Sequence, residues 1–190
     1  AHKAYGYGFS GNGKQIAILD SAFDTDHYSY TDKTITTYGT LTADSTSSYH
    51  GNTVSQVAAG YLDTSYSGSV AAHGVAYNAD LHLSDYAQKD SENYYASKWA
   101  KATNDASSAV VQNNSWGVDE EYNPNSSYSS SSLATMWTNA GLTSNSGSVD
   151  TYIDALNVFQ NHGVIVYALS NTSSFDEADE YLICLLYTSD

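Results

Sequence analysis

Apolar residues in this chain alternate between two patterns, and that alternation limits the fold more than any other feature. Short continuous runs, Ile16-Ala17-Ile18-Leu19 and Val164-Ile165-Val166-Tyr167, read as buried strands spanning residues 16–21 and 163–168. Residues 81–86, after the turn Ala76-Tyr77-Asn78-Ala79, and residues 109–115 complete a set of four. Between the strands, apolar residues recur at three- and four-residue spacing. Val54, Val57, Ala58 and Tyr61 predict a helix from His50 to residues 60–63. Tyr94, Tyr95, Trp99 and Ala102 predict another over residues 91–107. Tyr152, Leu156 and Phe159 predict a third over residues 151–162, with Gly163 as its C-cap. Such alternation builds right-handed strand–helix–strand units, so the expected class is α/β, with a mostly parallel central sheet flanked by helices. Residues 123–148, dense in Ser, Asn and Gly, are expected to form a long surface excursion with a short helical piece near residues 133–139.

The 190 residues suffice for one domain with a sizeable core. With 21 Asp and Glu against 6 Lys and Arg, the net charge is −15. That surface repels phosphate backbones and anionic lipid, so nucleic-acid binding and electrostatic membrane docking are disfavoured. No apolar run approaches the ~20 residues that span a bilayer. A lone cysteine, Cys184, rules out an intrachain disulfide framework and a cysteine metal cluster.

Four short segments carry the residue types of a hydrolytic site. Asp20 closes the first strand, where α/β sheets place catalytic groups, and Ser21 is placed to hydrogen-bond it. His50 opens a helix next to Gly51, which permits close backbone approach, and the positive end of the helix dipole favours a neutral ring. A base oriented by a buried carboxylate is the arrangement that activates a hydroxyl nucleophile. Ser115, Trp116 and Gly117 follow the third strand and can leave a backbone edge open to an extended peptide. Asn171 follows the fourth strand, where a side-chain amide can donate to a developing oxyanion, an effect worth about 3–4 kcal/mol. Each residue also has a plain structural reading as a turn, cap or strand end. His27, His73, His82 and His162 lack such context and read as structural or exposed.

Taken in order, the segments resemble the subtilisin-like serine peptidases (subtilases), and within them the passenger domains of autotransporters. Residues 16–21 resemble the Asp motif, with Asp24-Thr25-Asp26-His27 following, and His50-Gly51-x-x-Val54 resembles the His motif. His73-Gly74-Val75-Ala76-Tyr77-Asn78-Ala79 resembles the family's Gly-Val-Ala-Pro turn, with Tyr77 in place of Pro. Asn114-Ser115-Trp116-Gly117 resembles the substrate-binding strand, and residues 164–171 the strand leading to the oxyanion Asn. Asn52, Thr53, Gln56 and Ser170 depart from the usual residues of these motifs.

The resemblance implies a three-layer subtilisin-like fold, a polypeptide substrate and a serine-type endopeptidase. In it Asp20 orients His50, Asn171 stabilises the oxyanion, and Ser115, Trp116 and Gly117 line the cleft. No cofactor is required. A structural calcium is compatible with Asp24, Asp26, Asp119, Glu120 and Glu121, although a solvated acidic surface explains them equally.

The family's nucleophile belongs to a Gly-Thr-Ser motif, and this sequence contains none. Residues 1–183 are therefore expected to be the N-terminal portion of a subtilase catalytic domain, incomplete at its C-terminus. Residues 184–190 resemble a translated sequencing adapter, or else an ordinary apolar element end. The expected setting is secreted or on the bacterial cell surface, with a C-terminal translocator domain in the parent and no membrane insertion by this segment. The competing reading is a non-catalytic binding or adhesion module on the same scaffold. A doubly wound nucleotide-binding domain is disfavoured, because no Gly-rich loop follows the first strand.

Overall fold

A computed structural model describes residues 1–43, 49–61, 73–89, 95–116 and 146–168. Five parallel strands form one sheet: β1 (Gln15–Asp20), β2 (Ile35–Tyr38), β3 (Asp80–Asp85), β4 (Ala109–Asn114) and β5 (Val164–Tyr167), in the order β2-β3-β1-β4-β5. Four helices accompany them among the described residues: α1 (His2–Gly6), α2 (His50–Ala59), α3 (Ala96–Asp105) and α4 (Ser146–Gln160). Helix α2 lies in the β2-to-β3 connection and α3 in the β3-to-β4 connection, which passes over β1. The two pack on opposite faces: α2 covers β1 and β3 with Ala59 beside Ile18, while α3 and α4 pack together over Ala17 and Leu19. This is the expected three-layer α/β architecture.

Alternation along the strands divides two cores. Ala17 and Leu19 point toward α3 and α4 and pack with Trp99, Ala100, Tyr152, Leu156, Phe159 and Ile165. Ile18 points the other way, with Leu81 and Leu83 of β3, against Phe23, Tyr30 and Ala59. Asp20 follows Ile18 by two residues, so it lies on the α2 face.

Several sequence expectations need correction. The buried stripe of α2 is Gly51, Asn52, Ser55 and Ala59, whereas Val57 is 65% exposed. Small side chains let this helix sit close to the sheet, which outweighs the hydropathy of Val57. Helix α3 begins at Ala96, with Tyr95 as its N-cap; residues 90–94 lie outside the described residues. Helix α4 begins at Ser146, earlier than residue 151, because residues 146–148 carry no apolar stripe to announce it. Residues 146–148 thus leave the expected surface excursion; its remainder, with the helical piece near residues 133–139, lies outside the described residues.

Gly163 does not act as a left-handed cap, since the helix has ended at Gln160 and its φ is not positive. A Cβ there would stand 2.5 Å from the Phe159 ring, so glycine is required for space. The last strand is only half buried: Ile165 is covered, but Val164 and Val166 are 61% and 44% exposed on the face without a packed element among the described residues. Two elements carry no apolar periodicity to announce them: β2, a β-branched run (Thr34-Ile35-Thr36-Thr37), and the single-turn α1.

His82 is buried on β3, its Nδ1 2.8 Å from Thr36 Oγ1, and burial lowers its pKa against the opposing pull of Asp105. His27 caps the turn at Tyr28–Tyr30, His73 meets Gly74 O, and His162 packs on Phe159. Phe159 is the largest fully buried side chain of the α3–α4 core. Phe159→Ala is expected to cost about 3–5 kcal/mol, measured as a lower urea midpoint.

Candidate active site

The strand order reverses at β1, and the crevice beyond the C-terminal ends of β1, β3 and β4 is where open α/β sheets bind ligands. Asp20 ends β1 there and is fully buried. Its Oδ1 accepts from Ser21 N at 2.7 Å and from His50 Nδ1 at 2.7 Å. An ionised carboxylate only accepts, so Nδ1 carries the hydrogen and Nε2 keeps the lone pair. The His50 side chain is 50% exposed, so that nitrogen remains open to a reactant.

The backbone explains how the pair meets. Gly51 N donates to Ser21 O at 2.7 Å, tying the first turn of α2 to the residue after Asp20. A Cβ on Gly51 would lie 2.6 Å from the Phe23 ring and 2.7 Å from Ser21 O, so no other residue allows this approach. Among the described residues, the two non-glycine residues with positive φ are Ala22 (60°) and Tyr49 (22°), flanking this junction. Such strained conformations persist where surrounding contacts over-determine them, typically at functional sites.

At the other end of α2, Val75 N and Ala76 N donate to Val57 O and Ala58 O, and Gly74 N to Gly60 O. The Gly74 turn thus satisfies carbonyls at or next to the helix terminus. A Cβ on Gly74 would fall 2.3 Å from Gly60 N, which explains that glycine.

Ser115 and Trp116 leave β4 beside the same crevice. The Trp116 indole N–H donates to Leu19 O at 2.7 Å, and its ring stacks on Tyr86 at 5.2 Å and meets Trp99 at 4.5 Å. With that N–H committed, Trp116 offers a ligand a surface and no donor, and it buttresses the strand that carries Asp20. Ser115 Oγ accepts from Asn113 Nδ2 at 2.8 Å. The structure therefore gathers Asp20, His50, Ser115 and Trp116; Gly117 and Asn171 lie outside the described residues.

Sequence reading missed Asp85, the last residue of β3 and the register partner of Asp20 on the same sheet face. It is buried and accepts from Ala87 N at 2.8 Å and Thr42 N at 3.1 Å. The available signal was its place at the C-terminal end of a strand, the same place Asp20 holds.

Burial is the largest influence on Asp20 and leaves its pKa above the usual 3.8, despite the bonds from His50 and Ser21; Asp85 adds to the rise. Its other oxygen, Oδ2, is buried without a hydrogen-bond partner among the described residues, which adds to the difficulty of holding the charge. Asp85 is raised for the same primary reason, opposed by its two backbone donors. Among the described residues no group of three or more His, Cys, Asp or Glu is placed to hold a metal. Asp24 Oδ1 accepts from Asp26 N, while residues 119–121 lie outside the described residues.

Residues 11–182 match the model of the Subtilase family. The chain belongs to the subtilase family. Solved structures with the same fold include a mutant of the protease domain of PatA (18% identity, TM-score 0.54, covering 86% of this chain and 52% of that one). The prenylagaramide maturation protease PagA is similar at 15% identity and TM-score 0.56, over 90% of this chain and 50% of that one. MycP1 without its N-terminal propeptide gives 17% and 0.53, over 92% and 47%. This subtilase chain thus spans about half the length of each. A search of curated proteins finds no match.

Two outcomes check the geometry. Gly51→Ala is expected to destabilise the subtilase chain by about 1–3 kcal/mol in urea unfolding, because the new methyl meets a ring and a carbonyl. Asp20 and Asp85 bind a proton more tightly folded than unfolded, so the stability they contribute is present below pH 3.8 and lost as pH rises through their folded pKa values. Asp85→Asn removes one such slope; its urea midpoint should gain on the wild type as pH rises from about 4 to about 7.

Proposed function

We propose that the protein to which this chain belongs is a serine-type endopeptidase that cleaves extended polypeptides. The observation that carries the reading is the 2.7 Å contact between half-exposed His50 and fully buried Asp20 at the sheet's switch point. In this reading Asp20 holds the His50 ring in one tautomer and orientation. His50 Nε2 takes the proton of a serine hydroxyl as that oxygen attacks the scissile carbonyl, and later returns it to the leaving amine. The imidazolium formed in between is stabilised by the Asp20 carboxylate. The Asn171 amide donates to the oxyanion, and the segment at Ser115, Trp116 and Gly117 receives the extended substrate.

The nucleophile is a serine of a Gly-Thr-Ser motif, which these 190 residues do not contain. The 190-residue chain alone is therefore expected to bind peptide without efficient turnover. A secreted or cell-surface setting accords with the net charge of −15.

The test is fluorophosphonate labelling of the product of the complete gene. Labelling is expected, with His50→Ala abolishing it and Asp20→Asn lowering kcat by about 10⁴-fold. A product that resists labelling, yet binds extended peptides equally well with His50→Ala, sinks the peptidase reading in favour of a binding module.

A further inference from the structure

Asn52 stands two residues after His50 and is 4% exposed. Its Oδ1 accepts from Asp24 N at 3.0 Å and from the Tyr30 hydroxyl at 2.9 Å, while Nδ2 donates to Asp24 O at 3.3 Å. One primary amide thus joins the first turn of α2 to two points on the segment that leaves β1. It uses both lone pairs of its oxygen and one N–H. Beside it, Gly51 N bonds Ser21 O, so consecutive residues of the helix grip the same segment. The span so closed contains Ala22, one of the two strained positions, and Phe23, whose ring lies against Gly51. Tyr30 is itself buried, and burial pushes its hydroxyl up to about 12, so it stays protonated as a donor through neutral pH.

We propose that Asn52 is a positioning residue for the Asp20–His50 pair, fixing the start of α2 against the segment leaving β1 so that His50 Nδ1 meets Asp20 Oδ1. The inference rests on the reading of His50 as the base, since only then does its aim matter to chemistry. The alternative is a purely structural amide that stabilises α2 without setting the ring. The two differ in what substitution does. Asn52→Ala leaves Asp24 N and the Tyr30 hydroxyl without their acceptor, and both lie on the segment the helix must grip. A loosened grip moves the origin of the His50 side chain while the sheet and the far end of α2, held by the Gly74 turn, stay in place. Asn52→Asp keeps the acceptor for Asp24 N and the Tyr30 hydroxyl but turns a second oxygen on Asp24 O and buries a charge, so it restores the alignment in part.

The test is proton NMR of the isotope-labelled chain, following the His50 Nδ1–H resonance, assigned by its disappearance in His50→Ala. In the wild type it should be shifted downfield and protected from solvent exchange. Asn52→Ala should broaden or remove it with cooperative unfolding retained, and Asn52→Asp should bring it back in part. In the complete gene product, kcat of Asn52→Ala should fall by about 10²-fold with KM little changed, as expected for a misplaced base.

An unchanged resonance in a folded Asn52→Ala chain, with only the urea midpoint lowered, overturns the inference. So does a wild-type chain without the resonance. Should Asn52→Ala fail to fold, Tyr30→Phe decides, because it removes one bond and keeps the ring. Faster exchange of the His50 proton supports the proposal, and an unaltered rate overturns it. Failure of the peptidase reading is distinct: the resonance and its dependence on Asn52 persist while fluorophosphonate does not label.

Discussion

A single backbone hydrogen bond, Gly51 N to Ser21 O at 2.7 Å, governs the arrangement of the site. It brings a helix start onto a strand end, and it exists because residue 51 has no Cβ to strike Phe23 or the Ser21 carbonyl. The Asp20–His50 pair and the Asn52 amide all adjoin that contact: Asp20 before Ser21, His50 before Gly51, Asn52 after it. The rest of α2 follows suit with Ser55 and Ala59 along its buried side, and the Gly74 turn secures its far end. Small residues at these positions are thus part of how the His50 imidazole meets the Asp20 carboxylate.

The site is also electrostatically costly. Two buried carboxylates, Asp20 and Asp85, end adjacent strands on one face, in a chain that already carries a net charge of −15. Desolvation raises the pKa of both. What compensates Asp20 is specific: a backbone N–H, an imidazole N–H, and a strand pinned by the Trp116 indole on Leu19 O. Asp85 draws on Ala87 N and Thr42 N, and so orders the loops beside the crevice. The Trp116 ring supports the strand that carries Asp20, and the Asn52 amide joins the start of α2 to the segment that follows it.

The first strand was legible because a fully buried parallel strand must be apolar on both faces, as Ile16 to Leu19 are, whereas β3 shows Leu81 and Leu83 alternating with His82 and Ser84. The same logic misjudged β5, whose Val164 and Val166 look buried by composition yet face outward. It passed over β2, where threonines alternate with little contrast in hydropathy. Helix α2 was placed correctly, but its inward side was misread from Val57, because hydropathy cannot report that a helix packs closely through Gly, Asn, Ser and Ala. Asn52 was visible only as a departure from the His motif, and Asp85 gave no sign beyond its place at a strand's end.

Residue order by itself determined the alternation of strands and helices, hence the parallel sheet, the position of Asp20 at a strand terminus and that of His50 at a helix start. These depend on periodicities among neighbouring residues, which any local window contains. Only the tertiary structure decided that the two meet at 2.7 Å, that Asp85 comes up beside them, and that Asn52 reaches Asp24 and Tyr30. Those contacts join residues 22 to 65 positions apart. Strand register and the closeness of a helix to its sheet set them, and both emerge only when the whole core packs.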